Sequence, residues 1–109
     1  MRKLRIIFID GDELTRTLFS YIFEDPGGIE MVGEASEHQS AMALIRRFKP
    51  DAVIIGYDLS PHEDSRLRAC LRAEFPQMRV IDLSELDQAV SKKLSGQASM
   101  ELGYSTMVH

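Results

Sequence analysis

The sequence predicts a doubly wound α/β domain, in which helices cover both faces of a parallel sheet and form a three-layer sandwich. Short apolar, β-branched runs alternate with segments whose apolar residues recur every three or four positions. Each change of period falls at Gly, Pro or polar residues, which end strands and helices. The 109 residues, 44% hydrophobic and 28% charged, have the composition of one folded domain. We therefore expect a single domain over residues 1–109.

The first half of the chain predicts two pairs of a strand and a helix. Strands are expected over residues 4–9, a nearly continuous apolar run, and over residues 29–35. The first helix carries its apolar residues on one helical stripe, formed by Leu14, Leu18, Tyr21 and Ile22. The second helix has a similar stripe, formed by Ala41, Leu44, Ile45 and Phe48. Ser36 and Gln39 have the spacing of a capping box at its start, and Pro50 follows its end.

The second half repeats this alternation. It predicts a strand over 52–55, a loop over 57–64, a helix closed by Pro76, a strand over 79–83 and a β-prone segment over 103–108. The helix turns Leu67, Cys70 and Leu71 inward. Ser84 and Asp87 are spaced to cap a further helix. Strands and helices therefore alternate along the whole chain.

Charge and composition exclude several classes of function. The net charge of −4 at pH 7 offers no positive field for phosphate backbones or anionic lipid, so we expect no direct nucleic-acid or membrane binding. Cys70 is the only cysteine, and no apolar run approaches the length of about 20 residues that a membrane helix needs. His38, His62 and His109 lack the spacing of a zinc site. These features predict a cytoplasmic protein.

Polar residues follow the predicted strands at their carboxyl ends, where a doubly wound fold has its reactive crevice. Residues 10–12 follow the first strand, residues 56–58 the third, and Ser84 the fourth. Asp82 interrupts the apolar fourth strand, where an unpaired buried carboxylate would be costly. We therefore expect Asp82 to face a polar partner or an uncovered surface.

Several segments, in order, resemble the receiver domain of two-component response regulators, and especially NarL-type receivers. They are residues 4–10, 31–36, 49–55, 72–76 leading into 80–81, and Gly103-Tyr104. The resemblance is strongest over residues 1–84, whereas residues 85–109 match more weakly and end at the fifth strand. It implies a flavodoxin/CheY-like parallel sheet of order 2-1-3-4-5, in which the family's last helix is absent.

The resemblance also implies a phosphorylation site, but three of its positions lack the functional group. Family receivers bind Mg²⁺ with an acidic pair after the first strand, phosphorylate an aspartate after the third, and place a lysine on the fifth. Asp10 matches the first acid, but Gly11 stands at the second. Gly56 stands at the phosphoacceptor position and Met107 at the lysine position. A site without these groups predicts loss of phosphorylation.

Ser84 and Tyr104 match the family's switch pair, a hydroxyl residue and an aromatic residue that move together. The residues by themselves equally allow Ser84 to cap a helix and Tyr104 to be a half-buried strand aromatic. Asp12 likewise is placed to cap the first helix instead of binding a metal ion. Both interpretations of these residues stay open.

Together these observations predict a degenerate receiver, or pseudo-receiver, that is no enzyme and needs no cofactor. It is expected to act as a protein-interaction module in two-component signalling or transcriptional regulation. The resemblance implies that a protein partner or a second copy binds through the fourth helix and fifth strand, around Tyr104.

Two alternatives stay open. In the first, a bulge shifts the third-strand register, Asp58 is the phosphoacceptor, and Asp10 and Asp12 hold Mg²⁺. In the second, the chain is the N-terminal input domain of a longer DNA-binding regulator. An acidic oxygen where the side chain of Gly56 is missing, with a divalent ion beside it, would contradict a phosphorylation-independent function.

Overall fold

The computed structural model describes residues 2–23 and 28–86. In chain order these form β1 (Leu4–Ile9), α1 (Glu13–Phe23), β2 (Ile29–Ala35), α2 (His38–Phe48), β3 (Ala52–Ile55), α3 (Pro61–Glu74) and β4 (Arg79–Asp82). The strands form one parallel sheet of order β2-β1-β3-β4. This confirms the predicted doubly wound α/β fold for the described part of the chain. The expected fifth strand and the expected absence of a last helix concern residues outside it.

The two central strands are buried on both faces, as their continuous apolar runs predict. Residues 6–9 and 52–55 are at most 3% exposed. One face of the sheet contributes Ile7, Ile9, Val53 and Ile55 to a core that residues of α2 and α3 complete. The opposite face contributes Ile6, Phe8, Ala52 and Ile54 to a second core, which includes Phe23 of α1. The crevice therefore stands on two strands that are packed on both sides.

Helix α1 does not bury the stripe that its sequence pattern indicates. The stripe is exposed: Leu14 by 65%, Leu18 by 54%, Tyr21 by 74% and Ile22 by 61%. The neighbouring stripe faces the sheet, where Phe19 and Phe23 pack against Phe8 with ring centroids 5.1 and 6.4 Å away. Aromatic rings bring large apolar areas and favourable tilted contacts, which explains why they, rather than the leucines, face the core.

Neither serine that was expected to cap a helix does so. Helix α2 follows Glu37, whose side chain makes no capping hydrogen bond, so the expected box of Ser36 and Gln39 is not formed. Strand β4 ends at Asp82, and the chain is helical over residues 83–86. Ser84 therefore lies inside this turn instead of preceding it.

Ser60, which the sequence predicts to lie in a loop, caps α3 instead. Ser60 Oγ accepts a hydrogen bond from the Glu63 N–H at 3.1 Å, and Pro61 stands at the first helical position, where no N–H is needed. The signal was present, because Ser60 and Glu63 have capping-box spacing. The helix consequently begins within the stretch 57–64 that was expected to be a loop.

Candidate functional site

The crevice at the carboxyl ends of β1 and β3 is centred on Asp10, which is only 1% exposed. One carboxylate oxygen, Oδ1, accepts a hydrogen bond from the Asp12 N–H at 2.8 Å. The other, Oδ2, accepts one from the Asp58 N–H at 3.3 Å. The carboxylate thus ties the loop after β1 to the loop after β3. A buried carboxylate needs such donors, because unpaired charge is costly away from water.

The same carboxylate fills the place of a side chain at residue 56. A Cβ built on Gly56 would lie 2.0 Å from Oδ2 and 2.8 Å from Cγ of Asp10, far inside normal contact. The backbone of Gly56 is fixed there, because its N–H donates to the Ile9 carbonyl at 2.8 Å. An acidic oxygen therefore does occupy the position next to Gly56, and it belongs to Asp10. Only glycine fits beside it.

Gly11 is required by a second close approach between the same two loops. Its N–H donates to the Asp58 carbonyl oxygen, and a Cβ at this position would lie 2.6 Å from that oxygen. The two glycines that stand at lost family positions thus have one structural cause. Both allow the loop after β3 to lie directly on the loop after β1.

Asp12 is engaged with its own helix. Its Oδ2 accepts hydrogen bonds from the N–H of Thr15 at 3.0 Å and from the hydroxyl of Thr15 at 2.6 Å, which is N-cap geometry. These two hydrogen bonds hold the pKa of Asp12 below its usual range. The Asp12 carboxylate therefore accepts its hydrogen bonds from Thr15, in the first turn of α1.

Asp58 is exposed, and its backbone makes the contacts that close the crevice. Among the described residues, no group of three or more His, Cys, Asp or Glu side chains is arranged to hold a metal ion. Asp10, Asp12 and Asp58 lie in the adjacent loops that follow β1 and β3. Ser84, after β4, is exposed. Tyr104 and Met107 lie outside the described residues.

Arg16 supports the crevice from α1, and sequence reasoning missed it. Its Nη1 donates to the Asp10 carbonyl at 2.8 Å, and its Nε donates to Glu34 of β2 at 2.9 Å. The guanidinium side chain is only 15% exposed. Nothing in the spacing of these three residues marks the contact, because Glu34 is distant in sequence. Arg16 thus fixes how α1 lies against β1 and β2.

A hydrogen-bonded histidine–glutamate pair and an arginine–aspartate ion pair join the helices and strands around the crevice. His38 of α2 contacts Glu63 of α3, and this hydrogen bond lowers the pKa of Glu63. Arg68 of α3 binds Asp82 of β4 and also Asp64, four residues earlier on its own helix. Asp82 was expected to face either a polar partner or an uncovered surface, and it has a polar partner, Arg68. The spacing of Asp64 and Arg68 signals their pairing, but not the link to β4.

The Thr15→Val variant is expected to lose stability at neutral pH and much less at acid pH. Because the pKa of Asp12 is lowered in the folded chain, its stabilising effect is fully present above the usual carboxyl pKa. It is lost as the pH falls through the lowered pKa, where the carboxylate becomes protonated. Removing the hydroxyl takes away the largest cause of the lowered pKa. Equilibrium urea unfolding at several pH values measures the difference.

Thr17→Val is the matched control, because Thr17 is exposed on the same helix. It is expected to leave the pH dependence of the free energy of unfolding unchanged. An equal loss for Thr15→Val at neutral and acid pH would contradict a role through the charge of Asp12.

No family model matches the chain. The protein-glutamate methylesterase/protein-glutamine glutaminase of Trichodesmium erythraeum (strain IMS101) is 28% identical over 88 residues, which are 81% of this chain and 25% of that protein. The response regulator protein VraR of Staphylococcus aureus is 24% identical over 81 residues, which are 74% of this chain and 39% of VraR. The chain thus spans between a quarter and two fifths of the length of these relatives.

Solved structures show the same fold. The signal receiver domain of the response regulator NarL from Mycobacterium tuberculosis superposes with a TM-score of 0.65 at 24% identity, over 75% of this chain and 66% of that one. A LuxR-family two-component response regulator from Aurantimonas sp. SI85-9A1 superposes with a TM-score of 0.66 at 22% identity, over 73% of this chain and 57% of that one.

The sheet order and the crevice at its strand ends define a receiver-type α/β domain. The sequence matches agree with the fold, and the chain is a homologue of response-regulator receiver domains. None of the helices in the described ranges has the length and hydropathy of a membrane span.

Proposed function

We propose that the chain is a receiver-like signalling domain that works without phosphorylation, as a protein-interaction module in two-component signalling or transcriptional regulation. The observation that carries this proposal is the position of the Asp10 carboxylate. It fills the place where a phosphoacceptor side chain would project from residue 56, and it binds two backbone N–H groups there. The chain then acts by contact and is no enzyme.

We further propose that the carboxylates beside the crevice hold backbone N–H groups and not Mg²⁺. This cation takes oxygen ligands in near-ideal octahedral geometry. Both oxygens of Asp10 accept hydrogen bonds from N–H groups, and one oxygen of Asp12 accepts two from Thr15. A cation would have to share these oxygens with the N–H and O–H donors, and we propose no step that uses one. Oδ2 of Asp10, the acidic oxygen beside Gly56, thus accepts a hydrogen bond from the Asp58 N–H.

The test is incubation of the whole chain with Mg²⁺ and an acyl phosphate, followed by intact-mass measurement. We expect no added phosphoryl group, whereas a receiver with an acceptor aspartate, treated in parallel, gains one. The rival acceptor is Asp58, the exposed carboxylate of the crevice. A phosphoryl group that maps to Asp58 and disappears in the Asp58→Asn variant would overturn the proposal.

We further propose that residues 1–109 form one receiver-like domain of a cytoplasmic protein, with Ser84 and Tyr104 as its switch pair. Contacts with a protein partner through the fourth helix and fifth strand belong to the same proposal. The alternative of an input domain in a longer DNA-binding regulator is supported by length, since the match covers 39% of VraR. Reading the coding sequence downstream of residue 109 tests it.

A further inference from the structure

Helices α2 and α3 are joined at their first turns by two titratable side chains, His38 and Glu63. The Nδ1–H of His38 donates a hydrogen bond to Oε2 of Glu63, and the two side chains are only 20% and 24% exposed. An ionised carboxylate accepts hydrogen bonds and donates none, so the proton between these atoms belongs to the imidazole. The contact joins residues 25 positions apart and thus holds two separate helices together.

Glu63 also supplies the start of α2 with an acceptor that its own segment does not provide. The side chain of Glu37, which precedes α2, makes no capping hydrogen bond. The Glu63 carboxylate accepts a hydrogen bond from the backbone N–H of His38 as well as from its imidazole. The first N–H groups of a helix have no partner within the helix, and a carboxylate beside them is stabilising. Glu63 is therefore fixed to α2 by a main-chain and a side-chain contact.

The same glutamate stands next to the segment that closes the crevice. The N–H of Glu63 donates to Ser60 Oγ at 3.1 Å, at the start of α3. Asp58, shortly before Ser60, binds the loop after β1 through its N–H and its carbonyl oxygen. The contact between His38 and Glu63 therefore ties to α2 both the start of α3 and the loop that leads into it.

We propose that the pair of His38 and Glu63 is a proton-sensitive latch between α2 and α3, which becomes stronger when the imidazole is charged. Imidazole groups change charge between about pH 5 and 8. The hydrogen bond from the imidazole is the main cause that lowers the pKa of Glu63, so the carboxylate stays charged in this range. A neutral ring gives the latch a hydrogen bond, whereas a charged ring gives it an ion pair at the same two atoms.

The latch has a lower and an upper limit in pH. Because the pKa of Glu63 is lowered in the folded chain, the stability it contributes is fully present above the usual carboxyl pKa. It is lost as the pH falls through the lowered pKa. The ion pair is lost at the other limit, as the pH rises and the imidazole gives up its proton. The latch is therefore strongest in mildly acidic solution.

A second histidine lies beside the same carboxylate. His62 precedes Glu63 on α3, and its charge also lowers the pKa of Glu63. The other charged side chains of the neighbouring segments are exposed or bind other residues; they are Glu34, Glu37, Asp58, Asp64 and Arg66. An experiment on the latch must therefore separate His38 from His62.

Double-mutant cycles on the full chain test the proposal by urea unfolding of His38→Ala, Glu63→Ala and the double variant. At about pH 5.5, we expect the combined effect of the single substitutions on the unfolding equilibrium constant to exceed that of the double variant about fivefold. At about pH 8 we expect an excess of about twofold. Both pH values lie above the usual carboxyl range, so the imidazole is the partner that changes charge. The loss of the His38 backbone hydrogen bond occurs with either residue at position 38 and cancels in the cycle.

Arg46 and Glu74 are the matched control, because they join the last turns of the same two helices through hydrogen bonds of 2.7 and 2.9 Å. A guanidinium group keeps its charge at both pH values. The coupling measured with Arg46→Ala and Glu74→Ala is therefore expected to be the same at about pH 5.5 and about pH 8.

Two further cycles assign the proton to His38. With Glu63→Gln in place of Glu63→Ala, the side chain keeps an acceptor but no charge, and the coupling is expected not to rise at the lower pH. In a His62→Gln background, the original cycle is expected to keep its full rise. A coupling between His38 and Glu63 that is equal at both pH values or larger at the higher one overturns the proposal, and so does a rise that disappears with His62→Gln. The inference does not rest on the proposed function, so its failure leaves the phosphorylation test unaffected.

Discussion

The Gly56→Ala variant is expected to be about 2–4 kcal/mol less stable than the wild type, although it adds only one methyl group. The new Cβ would stand 2.0 Å from Oδ2 of Asp10. Asp10 is buried and holds two N–H groups, and the N–H of Gly56 is bonded to the Ile9 carbonyl. Neither side of the contact moves without losing hydrogen bonds. Equilibrium unfolding in urea measures the loss.

Gly33→Ala is the matched control for this prediction. A Cβ at Gly33 would meet the Cδ1 atom of Leu44 at 3.4 Å, an ordinary contact with a flexible side chain. We expect the free energy of unfolding of Gly33→Ala to differ from that of the wild type by no more than about 1 kcal/mol. If both variants lose the same stability, the cost at Gly56 comes from the backbone and not from Asp10.

A double-mutant cycle isolates the contact itself. Asp10→Ala alone removes the acceptor of two partly buried hydrogen bonds, from the N–H groups of Asp12 and Asp58, and is destabilising. In the Asp10→Ala background, however, the methyl group of Gly56→Ala enters space that the carboxylate has left. The two losses are therefore expected to be non-additive by at least about 1 kcal/mol. Additive losses would contradict a direct contact between these two residues.

Strand positions could be predicted from the sequence because the central strands are buried on both faces. A strand with no solvent side has no polar alternation, so residues 4–9 and 52–55 stand out as apolar runs. The rotation of α1 could not be predicted in this way. Its sequence carries two neighbouring apolar stripes, and only the contact of Phe19 with Phe8 decides which of them faces the sheet.

The site was predictable as a set of positions but not as an arrangement. The sequence marks Gly11 and Gly56 as separate departures from the family pattern. Their common cause appears only when the loops after β1 and β3 meet, through a hydrogen bond between residues 48 positions apart. No local pattern encodes where the Asp10 carboxylate points, because that direction depends on the two N–H groups it binds.

The Asp10→Asn variant is expected to lose about 2–3 kcal/mol of unfolding free energy. In the wild type each carboxylate oxygen accepts one hydrogen bond, from the N–H of Asp12 and from that of Asp58. An amide of the same size offers one oxygen and one NH₂ group, so one of the two backbone N–H groups would face another donor. Asp58→Asn makes the same chemical change at an exposed side chain and is expected to cost no more than about 0.5 kcal/mol.

A titration with Mg²⁺ tests whether the Asp10 carboxylate is a metal ligand. A cation that binds only the folded chain raises its stability in proportion to the logarithm of concentration over Kd. Because the oxygens of Asp10 already accept hydrogen bonds from N–H groups, we expect Mg²⁺ to leave the unfolding midpoint of the wild type and of Asp10→Asn unchanged. A midpoint that rises with Mg²⁺ in the wild type, and not in the variant, would show that this carboxylate binds a cation. The closed crevice would then be only one of two states of the domain.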